Sequence, residues 1–525
     1  MKPPCNIYAL CSLSHIAILD IARKYQELHS LDYERVANTL IKDKELCHIL
    51  IGAVLFIVLA LLLPTNEGLL TMTGALSLAA IIMSLYYFLT IGITWPSMLL
   101  IVLFCLFGSL GSVGIVFGNS FGSVAVVFFI IAIVLNSALV NSGVTKRIAL
   151  WFLTRKIIQN NPWRFIVMFM LSAYVIGLVL DSAALGMMYL VLINEVLEAI
   201  GVERGSVFCR ALSIGTLITI LVVVGSTPIG HLMPILLLTL AEDTLGVQIS
   251  WVRYMAVGIP LTFSLFIATI FILRVIFKFD KAFCEKFKNL DVRKMNIELP
   301  PFNRDAILTI AVYSLVIVGW LFPDITRAFF PEIAIFVAAQ GIAIPGAIGM
   351  IFLCIFRKKG TNEPIINFTK ELQKVPWSLI VFAGALFVTT VVINHEEIGI
   401  RSYLISLISP ILHVINPLSI VFLGILIVIV GTNFISTAVA QTVVFSVFAP
   451  ALMNLPDSGI CTVAFAVMIA ITANIVYMTP PSSPVAAFFY SGGYIKIKDG
   501  FRLAPVAIVG CLLAMLFFPL ANLLF

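Results

Sequence analysis

The sequence VGSTPIGHL (residues 224–232) interrupts the apolar run that begins near Val207, and MTPPSSP (residues 478–484) interrupts the run that begins near Ile460. Proline removes a backbone donor and clashes with the preceding turn, so each stretch predicts a helix that is split in two. The new N-terminus leaves N–H groups free for an anion, and the freed carbonyl and hydroxyl groups suit a small cation. These two interruptions, the first and second breaks, therefore predict binding sites as well as kinks.

Each break is preceded by a long apolar segment with polar residues at its middle. Asp181-Ser182 lies within residues 163–200, and Thr432-Asn433 and Ser436-Thr437 lie within residues 413–455. Such a pattern is typical of a re-entrant hairpin whose tip is buried in protein. We predict an inner hairpin at about 163–200 and an outer hairpin at about 413–455; two full crossings of each segment would preserve the charge pattern equally well.

The tips and breaks recur in the two halves of the chain. Pro228 follows Ser182 at almost the same spacing as Pro481 follows Ser436, which places the halves about 255 residues apart. The loop at Gly143 is basic, whereas its counterpart at 395–401 is acidic and falls on the opposite side of the membrane. An inverted repeat is therefore predicted, as in many secondary transporters.

The composition makes lipid part of the solvent of this chain. Of the 525 residues, 61% are apolar and 11% are charged, whereas soluble proteins carry about 25% charged residues. The net charge of +6 is spread over short loops, so no nucleic-acid partner is predicted. The nine cysteines include no CxxC pair and are read as small core residues. No His-Glu-x-x-His or P-loop motif indicates an enzyme.

Charge placement predicts a cytoplasmic N-terminus and an extracytoplasmic C-terminus in a multi-pass protein of the plasma or inner membrane. With this orientation all of the 32 Lys and Arg residues but three face the cytoplasm. We predict four segments: a cytoplasmic amphipathic N-terminus (1–46), a first inverted repeat (47–276), a cytoplasmic linker (277–304) and a second inverted repeat (305–525).

At the tips and breaks the chain resembles the divalent anion/sodium symporter family of the ion transporter superfamily, and the similarity extends from about Ile49 to the C-terminus. The resemblance implies about eleven transmembrane segments plus two re-entrant hairpins, a scaffold, a moving transport domain and a homodimer. It implies a dicarboxylate, citrate or sulfate substrate and sodium coupling. The family's Ser-Asn-Thr tips align here with residues 180–182 and 436–438, where neither asparagine is kept.

The resemblance also implies which residues form the site. Substrate binding is expected at Ser182, Thr227, Pro228, Asn433, Ser436, Thr437, Thr479, Pro480, Pro481 and Ser482. The coupling cation, with no other cofactor, is expected at Asp181, Ser182, Gly225, Ser226, Ser436, Thr437 and Met478.

Asp181 leaves the transported ion open. It is the one carboxylate predicted deep within an apolar segment, and an intramembrane carboxylate indicates a functional site. No Lys or Arg is predicted deep in a span, so an anionic substrate would need helix N-termini and co-bound sodium ions or protons. A Na⁺/H⁺ antiporter in which Asp181 exchanges a cation for protons is the alternative.

Overall fold

The computed structural model describes most of the chain from Tyr33 to the C-terminus. The described residues are 33–65, 69–153, 155, 161–229, 231–288, 303–404, 406, 416–435, 437–453, 455 and 459–525. They are predominantly helical and contain one isolated β-bridge, between Arg357 and Pro364. Most of the predicted N-terminal segment and half of the linker lie outside the described residues, as does Ser436.

The described part of the first half and of the linker contains twelve α-helices. They are α1 (Tyr33–Leu62), α2 (Met72–Thr90), α3 (Thr94–Phe107), α4 (Val113–Ser120), α5 (Val124–Asn141), α6 (Val144–Leu153), α7 (Pro162–Gly177), α8 (Ser182–Ile200), α9 (Val207–Val223), α10 (Leu232–Leu245), α11 (Trp251–Ile276) and α12 (Lys281–Lys288).

The described part of the second half contains eleven α-helices. Its helices are α13 (Arg304–Thr326), α14 (Pro331–Ala339), α15 (Ala343–Ile355), α16 (Phe368–Leu372), α17 (Trp377–Asn394), α18 (Pro417–Thr432), α19 (Thr437–Met453), α20 (Thr462–Thr472), α21 (Pro484–Ser491), α22 (Ile497–Arg502) and α23 (Ala504–Leu524).

The protein is an all-α polytopic membrane protein. Seven continuous described stretches are long and apolar enough to cross a bilayer, and α14 and α15, bent by 71°, make an eighth if they form one span. Seven further apolar helices in the described part are shorter, and five of them, α7, α9, α18, α19 and α20, adjoin a tip or a break. The predicted number of eleven spans is not confirmed. Many large apolar side chains, such as Leu61 and Leu523, are exposed, as a lipid-facing surface requires.

The two halves pack against each other crosswise. The breaks divide α9 from α10 and α20 from α21. Helix α9 packs against α21, and α10 packs against α20, so the N-terminal half of each broken helix meets the C-terminal half of the other. In the same way α8 packs against α21 and α19 packs against α10. The two halves therefore contact each other through the arms of both broken helices, while the inverted repeat stays a prediction.

The linker after α11 contains a short amphipathic helix, which the sequence interpretation treated as polar loop. On α12, Phe287 is fully buried. Its ring lies 5.9 Å from that of Phe165 and 5.8 Å from that of Phe208. The beginning of the linker is therefore anchored to α7 and α9 by aromatic packing.

A buried ion pair ties the two halves together. Arg210 of α9 donates to Asp499 of α22 at 2.9 Å, and the aspartate side chain is 1% exposed. Replacement of one partner leaves the other charge buried and uncompensated, which costs several kcal/mol in other proteins.

We expect Asp499→Asn to lower the free energy of unfolding by about 3 kcal/mol, measured by thermal unfolding of the detergent-solubilised protein. Glu363→Gln is the matched control, because Glu363 pairs with Lys358 at 3.7 Å on the exposed surface. An Asp499→Asn protein that melts with the wild type would contradict this role.

Candidate functional site

The first tip (residues 178–181) is fixed to the first break by a hydrogen bond. The Thr227 hydroxyl donates to the carbonyl oxygen of Leu178 at 2.7 Å. Asp181 caps α8, with its Oδ1 accepting from the Ala183 N–H at 2.8 Å. The chain turns sharply here, so hairpin and broken helix meet at one point, the first junction.

Asp181 has a second partner on the far side of the break. Its Oδ2 lies 2.9 Å from Nδ1 of His231, the residue that precedes α10. Both carboxylate oxygens are therefore engaged. The pair links the hairpin to the second half of the broken helix, and it fixes the orientation of the imidazole ring.

The second tip (residues 433–436) is fixed to the second break in the corresponding way. The Thr479 hydroxyl donates to the carbonyl oxygen of Asn433, as Thr227 does to Leu178. The Asn433 amide adds four bonds: Oδ1 accepts from the N–H groups of Tyr477 and Met478, and Nδ2 donates to the carbonyls of Ile429 and Ile475. Substrate contact by Asn433 remains a prediction, but its side chain is fully hydrogen-bonded within the protein.

A tyrosine hydroxyl satisfies one freed carbonyl in each break. Tyr254 of α11 donates to Gly225, and Tyr490 of α21 donates to Tyr477, both at 2.7 Å. Glycine allows the close approach at the first break, because a Cβ on Gly225 would lie 2.8 Å from the carbonyl oxygen of Ile471. Gly225 of the first break therefore lies directly against the C-terminal end of α20.

A cavity of about 430 Å³ lies between the first junction and α5. Its polar lining residues are Asn136, Ser137, Asn141, Asp181, His231 and Lys374. Aromatic and aliphatic side chains of α5 and α10 form most of the remaining wall, together with Ala183, Ala184, Ile229 and Pro376. This space, the tip cavity, is large enough for a small organic ion.

The remaining predicted residues lie at the junctions rather than in the tip cavity. Ser226 and Ser482 donate to carbonyls of their own breaks, at 2.5 Å each. Ser182 and Thr437 begin α8 and α19 and are buried. Residues 480–482 form one turn of 3₁₀-helix. Pro228 directly follows Thr227, whose hydroxyl contacts the first tip. Among the described residues, the lining includes none from the second tip or break.

Three polar residues of this region were missed in the sequence. Asn136 accepts from Tyr313 at 2.6 Å, Lys374 lines the tip cavity, and Gln441 of α19 donates to the carbonyl of Met233 at 2.8 Å. The Gln441 Oε1 atom is buried without a hydrogen-bond partner among the described residues. A cation ligand is one explanation for such an orphaned oxygen. Each of the three lies in an ordinary apolar or loop context, so no local signal marked it.

The junctions carry oxygen atoms of the kind that sodium prefers. Carbonyls, hydroxyls and the Asp181 carboxylate converge where each hairpin meets its break. Hard cations take oxygen ligands, and the N–H groups at the start of α8 and α10 favour an anion nearby. The arrangement can therefore accommodate both charges at short distance.

Comparison with known proteins agrees with this architecture. The sodium:sulfate symporter transmembrane region matches residues 44–523. The chain belongs to this family. It is the divalent anion/sodium symporter family that the motifs predicted. The family and the relatives that the chain resembles are transporters and not enzymes.

The relatives of this symporter chain are distant. The sodium-dependent dicarboxylate transporter SdcS of Staphylococcus saprophyticus is 24% identical over 53% of this chain and 52% of its own length. The sodium-dependent low-affinity dicarboxylate transporter 1 of Caenorhabditis elegans is 26% identical over 36% of this chain and 30% of its own. The Na(+)/dicarboxylate cotransporter 3 of Rattus norvegicus is 25% identical over 27% and 22%. The matches thus span about half or less of the relatives' length.

One hydrolase-like pattern in the symporter chain has a structural explanation. Residues 118–122 read Gly-Asn-Ser-Phe-Gly. Ser120 is fully buried at the end of α4, where it packs against Gly384. The strand–turn–helix context of a nucleophile elbow does not occur there, so the pattern carries no catalytic function.

We expect Asn433→Ala to destabilise the protein by about 3 kcal/mol, because it leaves the buried N–H groups of Tyr477 and Met478 without their acceptor. Thermal unfolding in detergent measures the loss. Asn119→Ala is the control, since Asn119 is only half-buried and its amide donates within its own helix, to the carbonyl of Ile115. Equal melting temperatures for the two variants would show that Asn433 does not hold the second junction.

Proposed function

We propose that this protein is a secondary active transporter that moves a small di- or tricarboxylate-like anion together with Na⁺ or H⁺. The observation that carries the proposal is the pair of matched junctions. In each half of the chain, the hydroxyl of a threonine in the break donates to a carbonyl of the tip. Family membership and the sodium-dependent dicarboxylate transporters among the relatives support the class of substrate and sodium as the coupling ion.

In the proposed mechanism the cation binds at the junctions first. Its charge, with the N-termini of α8 and α10, offsets that of the incoming anion in the tip cavity. The hairpins and broken helices then move together against the scaffold, by an elevator-type motion that exposes the site to the other side. The homodimer, the two re-entrant hairpins and a cytoplasmic N-terminus belong to this proposal.

The contact between Asp181 and His231 bears on the choice between symport and antiport. A carboxylate facing the tip cavity would repel an anionic substrate, but a partner at 2.9 Å that can carry positive charge reduces the repulsion. This contact favours the anion. Cation/proton antiport at Asp181 remains the second candidate, supported by the carboxylate itself.

Uptake of labelled succinate and citrate into proteoliposomes tests the proposal. We expect an inward sodium or proton gradient to drive accumulation above that in protein-free liposomes. Absence of anion uptake, together with internal pH changes on addition of sodium, would show that the protein is a cation/proton antiporter and not an anion symporter.

Asp181→Asn removes the carboxylate charge but keeps a residue that can cap the helix, since asparagine also caps helices. We expect it to lower gradient-driven uptake about tenfold or more, because a charge-assisted contact to His231 is lost, while membrane insertion is unchanged. The control is Asp324→Asn, because Asp324 likewise accepts a backbone N–H at a helix start, from Val252, but lies outside the tip cavity. Wild-type coupled uptake by Asp181→Asn would exclude Asp181 from coupling.

A further inference from the structure

The lining of the tip cavity includes a lysine as well as an aspartate. Lys374 lines the cavity together with Pro376, in the segment between α16 and α17. Asp181 is the acidic residue of the same lining, and His231 lies beside it. No basic residue was predicted to reach the site from the sequence, so Lys374 changes its electrostatics.

Lys374 is held in place by a buried carboxylate. Its Nζ donates to Glu371 Oε1 at 2.8 Å, and the Glu371 side chain is 10% exposed. The hydroxyl of Ser137 donates to Oε2 of the same carboxylate, and the amide of Asn141 donates to Oε1 at 3.4 Å. Two donors of α5 thus fix Glu371, and Glu371 in turn fixes the ammonium group of Lys374.

Glu371 lies behind this contact and is not among the residues that line the cavity. A lysine ammonium has three donors and no acceptor, and only one is used by the glutamate. The Lys374 side chain is 58% exposed, so its free donors are accessible to water and to an ion in the cavity mouth. A partly exposed ammonium binds an anion weakly and reversibly, which suits a group that must also release its ligand.

We propose that Lys374 binds a carboxylate group of the transported anion at the mouth of the tip cavity, and that Glu371 is its positioning residue. The inference rests on the proposed anion transport. The ammonium attracts the anion past the low-dielectric wall of α5 and compensates for the carboxylate of Asp181 in the same lining. Lys374 then determines apparent affinity more than maximal rate.

Uptake kinetics of labelled succinate in proteoliposomes test this assignment. We expect Lys374→Gln to raise KM about fivefold, the effect of one partly exposed charge pair, with Vmax within about twofold of wild type. Lys374→Arg keeps the charge and is expected to keep KM near the wild-type value. Lys370→Gln is the matched control, because Lys370 is an exposed lysine of α16 that does not line the cavity.

A charge series separates binding from a structural role. Lys374→Cys labelled with an aminoethyl methanethiosulfonate regains an ammonium group, whereas the sulfonatoethyl reagent adds a negative charge. KM should be lowest with the ammonium, intermediate for the unlabelled cysteine and highest with the sulfonate. Wild-type protein treated in parallel accounts for its own free cysteines.

Each outcome decides a different claim. Two results would overturn the role of Lys374 without affecting the proposed anion transport. One is a wild-type KM for Lys374→Gln; the other is a KM of the labelled Lys374→Cys protein that does not depend on the charge of the label. Wild-type protein that moves no anion, but exchanges sodium for protons, overturns both.

Discussion

The hydrogen bond from a break threonine to a tip carbonyl is the contact on which the rest of this structure depends. Within a bilayer no water satisfies the backbone groups that a broken helix frees. Side-chain hydroxyls of the breaks take the place of water at the tips: Thr227 donates to the carbonyl of Leu178, and Thr479 donates to that of Asn433. An interrupted backbone is stable there because the hairpin and the break dock together.

The two junctions are alike in backbone and different in chemistry. At the second, the neutral amide of Asn433 joins the tip to three residues that follow α20, namely Ile475, Tyr477 and Met478. At the first, Asp181 and His231 bring titratable groups to the wall of the tip cavity. The two junctions therefore share the contact between threonine and tip carbonyl, whereas the contact between Asp181 and His231 belongs to the first.

The sequence was sufficient for features that depend on local pattern. Proline within an apolar run identified both breaks, and polar residues at mid-run identified both tips, because either feature is costly in a lipid-facing helix. It was not sufficient for contacts between distant residues. His231 lies 50 residues from Asp181, and Glu371 lies 234 residues from Ser137. Helix α12 was missed because two turns are too short for a clear periodicity.

The most direct test of the account is a cryo-electron microscopy structure in lipid nanodiscs with sodium and succinate. The account predicts succinate density in the tip cavity, between α5 and the first junction, and ion density where the hairpin tips meet the breaks. Succinate bound elsewhere, with the tip cavity and both junctions filled only by protein and water, would contradict it.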